Sequence, residues 1–150
     1  MVRAKKTHMQ IALKLAKKAG EKGEVPVGAV VVYQGEIIAK ARNKMRRLND
    51  ASAHAEMLVI KKALKKLKVA RLIDCDIYVT LEPCTMCAGA ISHLRFRRLY
   101  YGAGDIKGGA IDNGVQFFSA KTCHHRPEII SGLEEEGSEK LLKNFFALRR

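Results

Sequence analysis

The chain has 150 residues, 47% of them hydrophobic and 29% charged. That composition excludes a disordered or low-complexity chain and predicts a single folded domain over residues 1–150. With 28 Lys and Arg against 15 Asp and Glu, the formal net charge is +13, which points to a polyanionic partner, nucleic acid before an anionic membrane, although a generic basic surface would carry the same number.

The elements follow in chain order. His8 to Lys18 carries Met9, Ala12, Leu13 and Ala16 at helical spacing, and Gly20 and Gly23 end it. Val27 to Tyr33 is a β-branched run, Gln34-Gly35 turns the chain, and Glu36 to Ala41 continues extended, so a β-hairpin is predicted. A loop at 49–52 precedes a helix from Ala53 to Lys66, with Asp50 or Ser52 as its cap and Met57, Ile60 and Leu64 on one face. Asp76 to Leu81 is a third strand. Pro83 opens a helix through Ser92, since proline suits a first helical turn. Arg97 to Tyr101 is a fourth strand, Gly108-Gly109 marks a loop, and Ile129 to Ser131 is a short fifth strand. Leu133 to Leu148 closes the chain as a helix with Leu141, Leu142, Phe145 and Leu148 facing inward. Strands alternating with helices predict a layered α/β domain with a partly parallel sheet. No stretch is apolar enough to span a bilayer, and the polar start, MVRAKKTHMQ, is unlike a secretory leader. We therefore expect a cytoplasmic protein, in which a C-x-x-C reads as metal or redox chemistry before a structural bridge.

That C-x-x-C is Cys84 and Cys87. It stands directly after Pro83, and 26 residues separate Pro83 from the His54-Ala55-Glu56 triplet, room for one helix and one strand. A hydrolytic zinc centre needs three protein ligands and an open fourth position for water. One imidazole, His54, and two thiolates, Cys84 and Cys87, provide that set. Helix starts favour the thiolate form. Glu56, two residues past His54, lies beside such an ion instead of on it. Zinc lowers the pKa of a bound water to about 7, and a carboxyl group at Glu56 would move protons from that water to the ring nitrogen and the departing ammonia. Each piece alone is weak: C-x-x-C also marks structural zinc, for which Cys123, His124 or His125 offers a fourth ligand. Together, H-x-E followed by P-C-x-x-C is the general signature of the zinc base deaminases.

The chain resembles the bacterial tRNA-specific adenosine deaminases. The resemblance rests on HAEM at 54–57, YVTLEPCTMCAGAI at 78–91, EVPVGAVVV at 24–32, YGAGDIKGGA at 101–110, the Asn43 region and HHRPEI near His125. It implies a three-layer α/β/α cytidine-deaminase-like fold with a five-stranded mixed sheet. It further implies conversion of a wobble adenosine to inosine in the anticodon stem-loop of an arginine tRNA, by a homodimer with one Zn2+ per subunit and no membrane association. It assigns His54, Cys84 and Cys87 to the metal and Glu56 to the proton shuttle. Asn43, Val27, Ala55 and Asp105 fall to the substrate, with Val27 and Ala55 lining the base pocket and Asp105 on a loop facing the RNA backbone. The doubled His124-His125 departs from the family's usual form.

Chemistry on a base requires the base to leave the stack, so a single-stranded loop is the cheap substrate. Lys40, Arg42, Lys44, Arg46 and Arg47, around Asn43, are candidates for phosphate contacts, each with an alternative as a solvated surface residue. Tyr101, Phe117 and Phe118 either stack on bases or belong to the core. Lys140, Lys143, Arg149 and Arg150 would make the last helix an RNA-binding extension, against which the acidic run at 134–136 argues in part. Cys75 reads as an inert buried thiol, and His8 and His93 as surface or packing residues. Two rivals remain. A free-base or nucleoside deaminase would share the zinc chemistry and leave the +13 charge without a use. A non-catalytic zinc-stabilised RNA-binding protein would have no use for Glu56.

Overall fold

The computed structural model describes residues 2–149; Arg150 lies outside the described residues. The element order is α1 (Val2–Glu21), β1 (Gly28–Tyr33), β2 (Glu36–Arg42), α2 (Ala55–Leu67), β3 (Cys75–Leu81), α3 (Thr85–His93), β4 (Arg98–Ala103), a 3-10 turn (Phe117–Ser119), β5 (Glu128–Ile130) and α4 (Glu135–Ala147). Every element expected from the sequence is present. The first helix is longer than its apolar repeat, because the flanking Lys, Gln and Ala are good helix formers and nothing breaks the run before Gly23.

The five strands form one mixed sheet in the order β2-β1-β3-β4-β5. β1 pairs antiparallel with β2 and β3, and β3–β4 and β4–β5 are parallel. Strand parity splits the core in two. Ala29, Val31, Ile77, Val79, Leu99 and Tyr101 point to one face, where Val59, Ile60 and Ala63 of α2 and Ala88 and Ile91 of α3 cover them. Val30, Val32, Tyr78 and Tyr100 point to the other, against Met9 and Ala12 of α1. α4 packs beside α1 on that second face. Helices therefore cover both faces of the sheet, the three-layer α/β/α arrangement. α1 lies so close to β1 that a Cβ on Gly28 would strike the Ala12 carbonyl, which explains a glycine at the start of a central strand.

Four local expectations are corrected. Neither Asp50 nor Ser52 caps α2: Ser52 donates through both its N–H and its hydroxyl to Asp50 Oδ1, at 2.8 and 2.7 Å, closing its own turn. The cap residue is His54. The buried stripe of α2 is Ala55, Glu56, Val59, Ile60 and Ala63, while Met57 and Leu64 lie at its margin. Pro83 precedes the cap of α3 instead of opening its first turn; it restricts the entry to the helix without joining it. In α4 the buried residues are Ser138 and Phe145, and Leu148, just past the last turn, is 83% exposed. Tyr101 and Phe118 are core, and Phe117 packs against them, so stacking on a base is not their role.

Candidate active site

β3 ends at Leu81, and the chain passes through Glu82 and Pro83 to Cys84 at the start of α3. α2 starts alongside, so two helix N-termini meet at the carboxyl end of β3, the usual location for ligands in open α/β sheets. Both cap residues are chemical ones. His54 and Cys84 have extended backbones, and neither side chain bonds back to its helix. An Asp or Ser at these positions would spend its side chain on the helix; the imidazole and the thiol are left free to face each other. Cys87 follows one turn into α3 and is fully buried.

His54 Nδ1 lies 3.6 Å from Cys84 Sγ and 3.5 Å from Cys87 Sγ. A tetrahedral zinc with bonds of about 2.3 Å to sulfur and about 2.0–2.1 Å to nitrogen requires an N···S separation of about 3.6 Å. Both nitrogen–sulfur separations thus match a zinc coordination shell, the three donor atoms all lie within 4.8 Å of one another, and they are the His/Cys/Asp/Glu cluster with that potential among the described residues. The protonation pattern agrees. Hydrogen bonds donated by Cys87 and by His54 hold the Cys84 thiol down at about 4, against the effect of burial. The same sharing, with burial, pushes Cys87 up. The bond to Cys84 raises His54 against the effect of burial. Protons crowd between three donors that a cation would satisfy at once. Cys123 takes no part: its sulfur lies by Ser92 Oγ and the His125 carbonyl. His125 Nε2 meets the Phe96 carbonyl. Neither supplies the fourth ligand that a closed structural zinc site would need.

Glu56 is 4% exposed. Burial raises its carboxyl pKa, outweighing its own backbone N–H and the nearby His54. Beside the cluster opens a pocket of about 250 Å³, whose lining includes Val27, Asn43, His54, Ala55, Glu56, Cys84 and Asp105. Of the residues assigned to the metal, the proton shuttle and the substrate, all border it except Cys87, while the basic residues expected at phosphates do not. Asn43 is 6% exposed; its Nδ2 donates to the Val25 carbonyl at 3.3 Å, and its buried Oδ1 has no partner. An unsatisfied buried acceptor on a pocket wall carries a free-energy cost that a donor on a ligand would remove. Asp105 also lines the pocket, and its Oδ1 accepts the N–H groups of Lys107 and Gly108 at 3.2 and 3.0 Å.

Two carboxylates that shape this pocket were not singled out from the sequence. Glu82, 2% exposed, accepts from Asp105 N and Asn113 Nδ2 on Oε1, and from the N–H groups of Ile111, Asp112 and Asn113 on Oε2. Burial alone would raise its pKa, but these donors win and hold it below the usual carboxylate range. Glu82 thereby fastens the loop that carries Asp105 and Gly108. A Cβ on Gly109 would come within 2.6 Å of its Oε1, so the loop requires glycine there. Glu24, also buried, accepts from Arg46 N at 3.0 Å and Arg47 N at 2.8 Å and fixes the turn after Asn43. A glutamate before proline or valine reads as a solvated residue; the nearest sequence signal was the cluster of glycines at 104, 108, 109 and 114, whose loop has few apolar side chains to anchor it.

A mixed sheet with helices on both faces, a His-Cys-Cys cluster at two helix starts and a buried glutamate beside it define a zinc-dependent deaminase class. The cytidine and deoxycytidylate deaminase zinc-binding region matches residues 2–103, and the chain belongs to that family. Its relatives are more specific. It is 55% identical over 148 residues to a tRNA-specific adenosine deaminase of Agrobacterium fabrum, covering 98% of this chain and 97% of the relative. A solved structure from work on A-to-I editing by tRNA:A34 deaminases at the wobble position superposes with a TM-score of 0.89 at 56% identity, covering 91% of this chain and 99% of the other. A guanine deaminase from Nitrosomonas europaea shares the fold, with a TM-score of 0.82 at 22% identity over 95% of this chain and 84% of the other. No helix among the described residues is long and apolar enough to cross a membrane.

Proposed function

We propose that the chain hydrolyses the wobble adenosine of a tRNA anticodon loop, of the arginine type, to inosine and ammonia. The observation that carries this reading is the buried Glu56 carboxyl beside the His54, Cys84 and Cys87 cluster, on the wall of a pocket of about 250 Å³. Zinc held by those three residues supplies a Lewis acid and a water acidified to a pKa near 7. In the reaction a C–O bond forms at C6 of the adenine and the C–N bond to the exocyclic amine breaks. Glu56 accepts a proton from the attacking water and returns protons to the ring nitrogen and the leaving amine. Its raised pKa suits both halves of that transfer. Asn43 offers its unpartnered Oδ1 to the target nucleotide, and Val27 and Ala55 provide apolar walls for the base. Asp105 bounds the mouth, where the flanking strand enters.

The full-length relatives act on tRNA by name, and the +13 charge suits a polyanionic substrate. The homodimer and the cytoplasmic location implied by the resemblance belong to the same proposal. The test is deamination of an arginine tRNA anticodon stem-loop bearing a wobble adenosine, run beside free adenosine, guanine and cytidine. Inosine in the stem-loop with little action on the free compounds is the expected result; turnover of a free base in preference to the stem-loop would replace the substrate and keep the chemistry.

A further inference from the structure

The turn after Asn43 builds a second feature, distinct from the pocket. Lys22, Arg42, Lys44, Arg46 and Arg47 line an open cleft of about 560 Å³. Five cations converge there from the end of α1, the end of β2 and the turn beyond it. The one carboxylate in the cleft, Glu24, has each oxygen committed to a backbone N–H, those of Arg46 and Arg47. The ion pairs formed among the described residues join Arg97 and Arg98 to Asp76 and Glu128, on other strands. None involves a cation of this cleft. The Arg46 guanidinium donates to the Gly23 carbonyl at 3.2 Å and keeps its charge unpaired. Lys44 records the crowding: burial first, then Arg42, Lys62, Arg47 and Lys18, lower its pKa. Concentrated like charge without counter-charge is destabilising by itself. An anion would relieve it.

The cleft is also continuous with the pocket. A groove between them is lined by Val25, Asn43 and Met45, which border the pocket, and by Glu24 and Arg46, which border the cleft. It is also lined by Phe145 and Arg149, whose guanidinium lies 3.6 Å from the centre of the Phe145 ring and donates to the Phe145 carbonyl. A chain of phosphates leaving the pocket at Asn43 would pass Arg46 and Arg149 and enter the cleft.

We propose that this cleft is a docking site for the sugar-phosphate backbone of the RNA strand that flanks the target nucleotide, held by Lys44, Arg46 and Arg47 and positioned by Glu24. The proposal rests on the RNA reading of the pocket, and it makes the basic surface directional: the strand runs along β2's end toward α1 and not across α2. The exposed lysines of α2, Lys61, Lys65 and Lys66, offer a control of equal charge.

The experiment measures binding of a labelled anticodon stem-loop to the full chain across a salt series. Each phosphate contact in a single strand contributes about 0.7 to the slope of log affinity against log salt. Lys44→Gln/Arg46→Gln/Arg47→Gln should reduce the slope by about 2 and weaken binding on the order of tenfold to a hundredfold near 0.1 M salt. Lys61→Gln/Lys65→Gln/Lys66→Gln should leave the slope within about 0.5 of the unmodified chain. The side chains substituted in the cleft are not what Glu24 holds, and a circular-dichroism melt of each variant verifies the fold. An unchanged slope in the cleft variant, or an equal loss in both triples, overturns the cleft while leaving the RNA reading in place. Binding through the cleft without deamination overturns the catalytic reading while the cleft stands. A chain that binds no RNA overturns both.

Discussion

Glu56 and Glu82 are both buried carboxylates lining one pocket, and the structure drives their protonation in opposite directions. Glu56 stands in α2's first turn with few donors, so desolvation dominates and favours the protonated form. Glu82 has five N–H donors from one loop, so the charged form is held. The pair teaches that burial alone does not say what a carboxylate is for. The donors it meets decide whether it carries protons or ties backbone together.

The largest effect should come from dismantling what Glu56 serves. Cys87→Ser removes a thiolate from the cluster and should reduce turnover at least about a thousandfold, as should exhaustive chelation. Metal analysis beside the assay should record lost zinc, and zinc should restore the chelated wild-type chain. Full activity in a metal-free chain would remove the reason for placing Glu56 there.

Glu82→Gln tests the other half. It sets an amide N–H2 among donors and should cost about 2–4 kcal/mol of stability at neutral pH, read by urea unfolding. The sign of its pH dependence follows from the lowered pKa. The stabilisation is fully present above the unfolded glutamate value of about 4.3 and is lost as pH falls through the folded value. The variant should therefore be less stable at pH 7 and lose stability less steeply on acidification. A variant as stable as the parent would mean that the loop does not hang on Glu82. A smaller effect is expected at Asn43, which lines the same pocket. Asn43→Ala should cost about 1–2 kcal/mol in kcat/KM, roughly tenfold, with its own loss of stability small. An unchanged kcat/KM would mean that Oδ1 finds no partner on the substrate.

Much of this was legible in the sequence. The β-branched run of Val27 to Tyr33, the Gln34-Gly35 turn and the apolar spacing of α1 marked the elements, because residue type, period and turn chemistry act locally. His54, Glu56, Cys84 and Cys87 were legible because metal chemistry restricts residue type and spacing. The failures share another cause. The α2 cap was misplaced because Asp50 and Ser52 satisfied each other. Leu148 was expected inside because helical period says nothing about where the covering surface stops. Glu82 and Glu24 were missed because their partners lie 23 to 31 and 22 to 23 residues away. No local pattern carries a carboxylate's distant donors.

The most direct measurement is Glu56→Gln with three readings on one preparation: inosine formed in the stem-loop, zinc bound, and RNA affinity. The account predicts a loss of kcat of about two to four orders of magnitude, zinc near one per chain, and RNA affinity within about twofold of the parent, since the amide keeps the shape and loses only the proton traffic. Turnover within tenfold of the parent, with zinc in place, would contradict it.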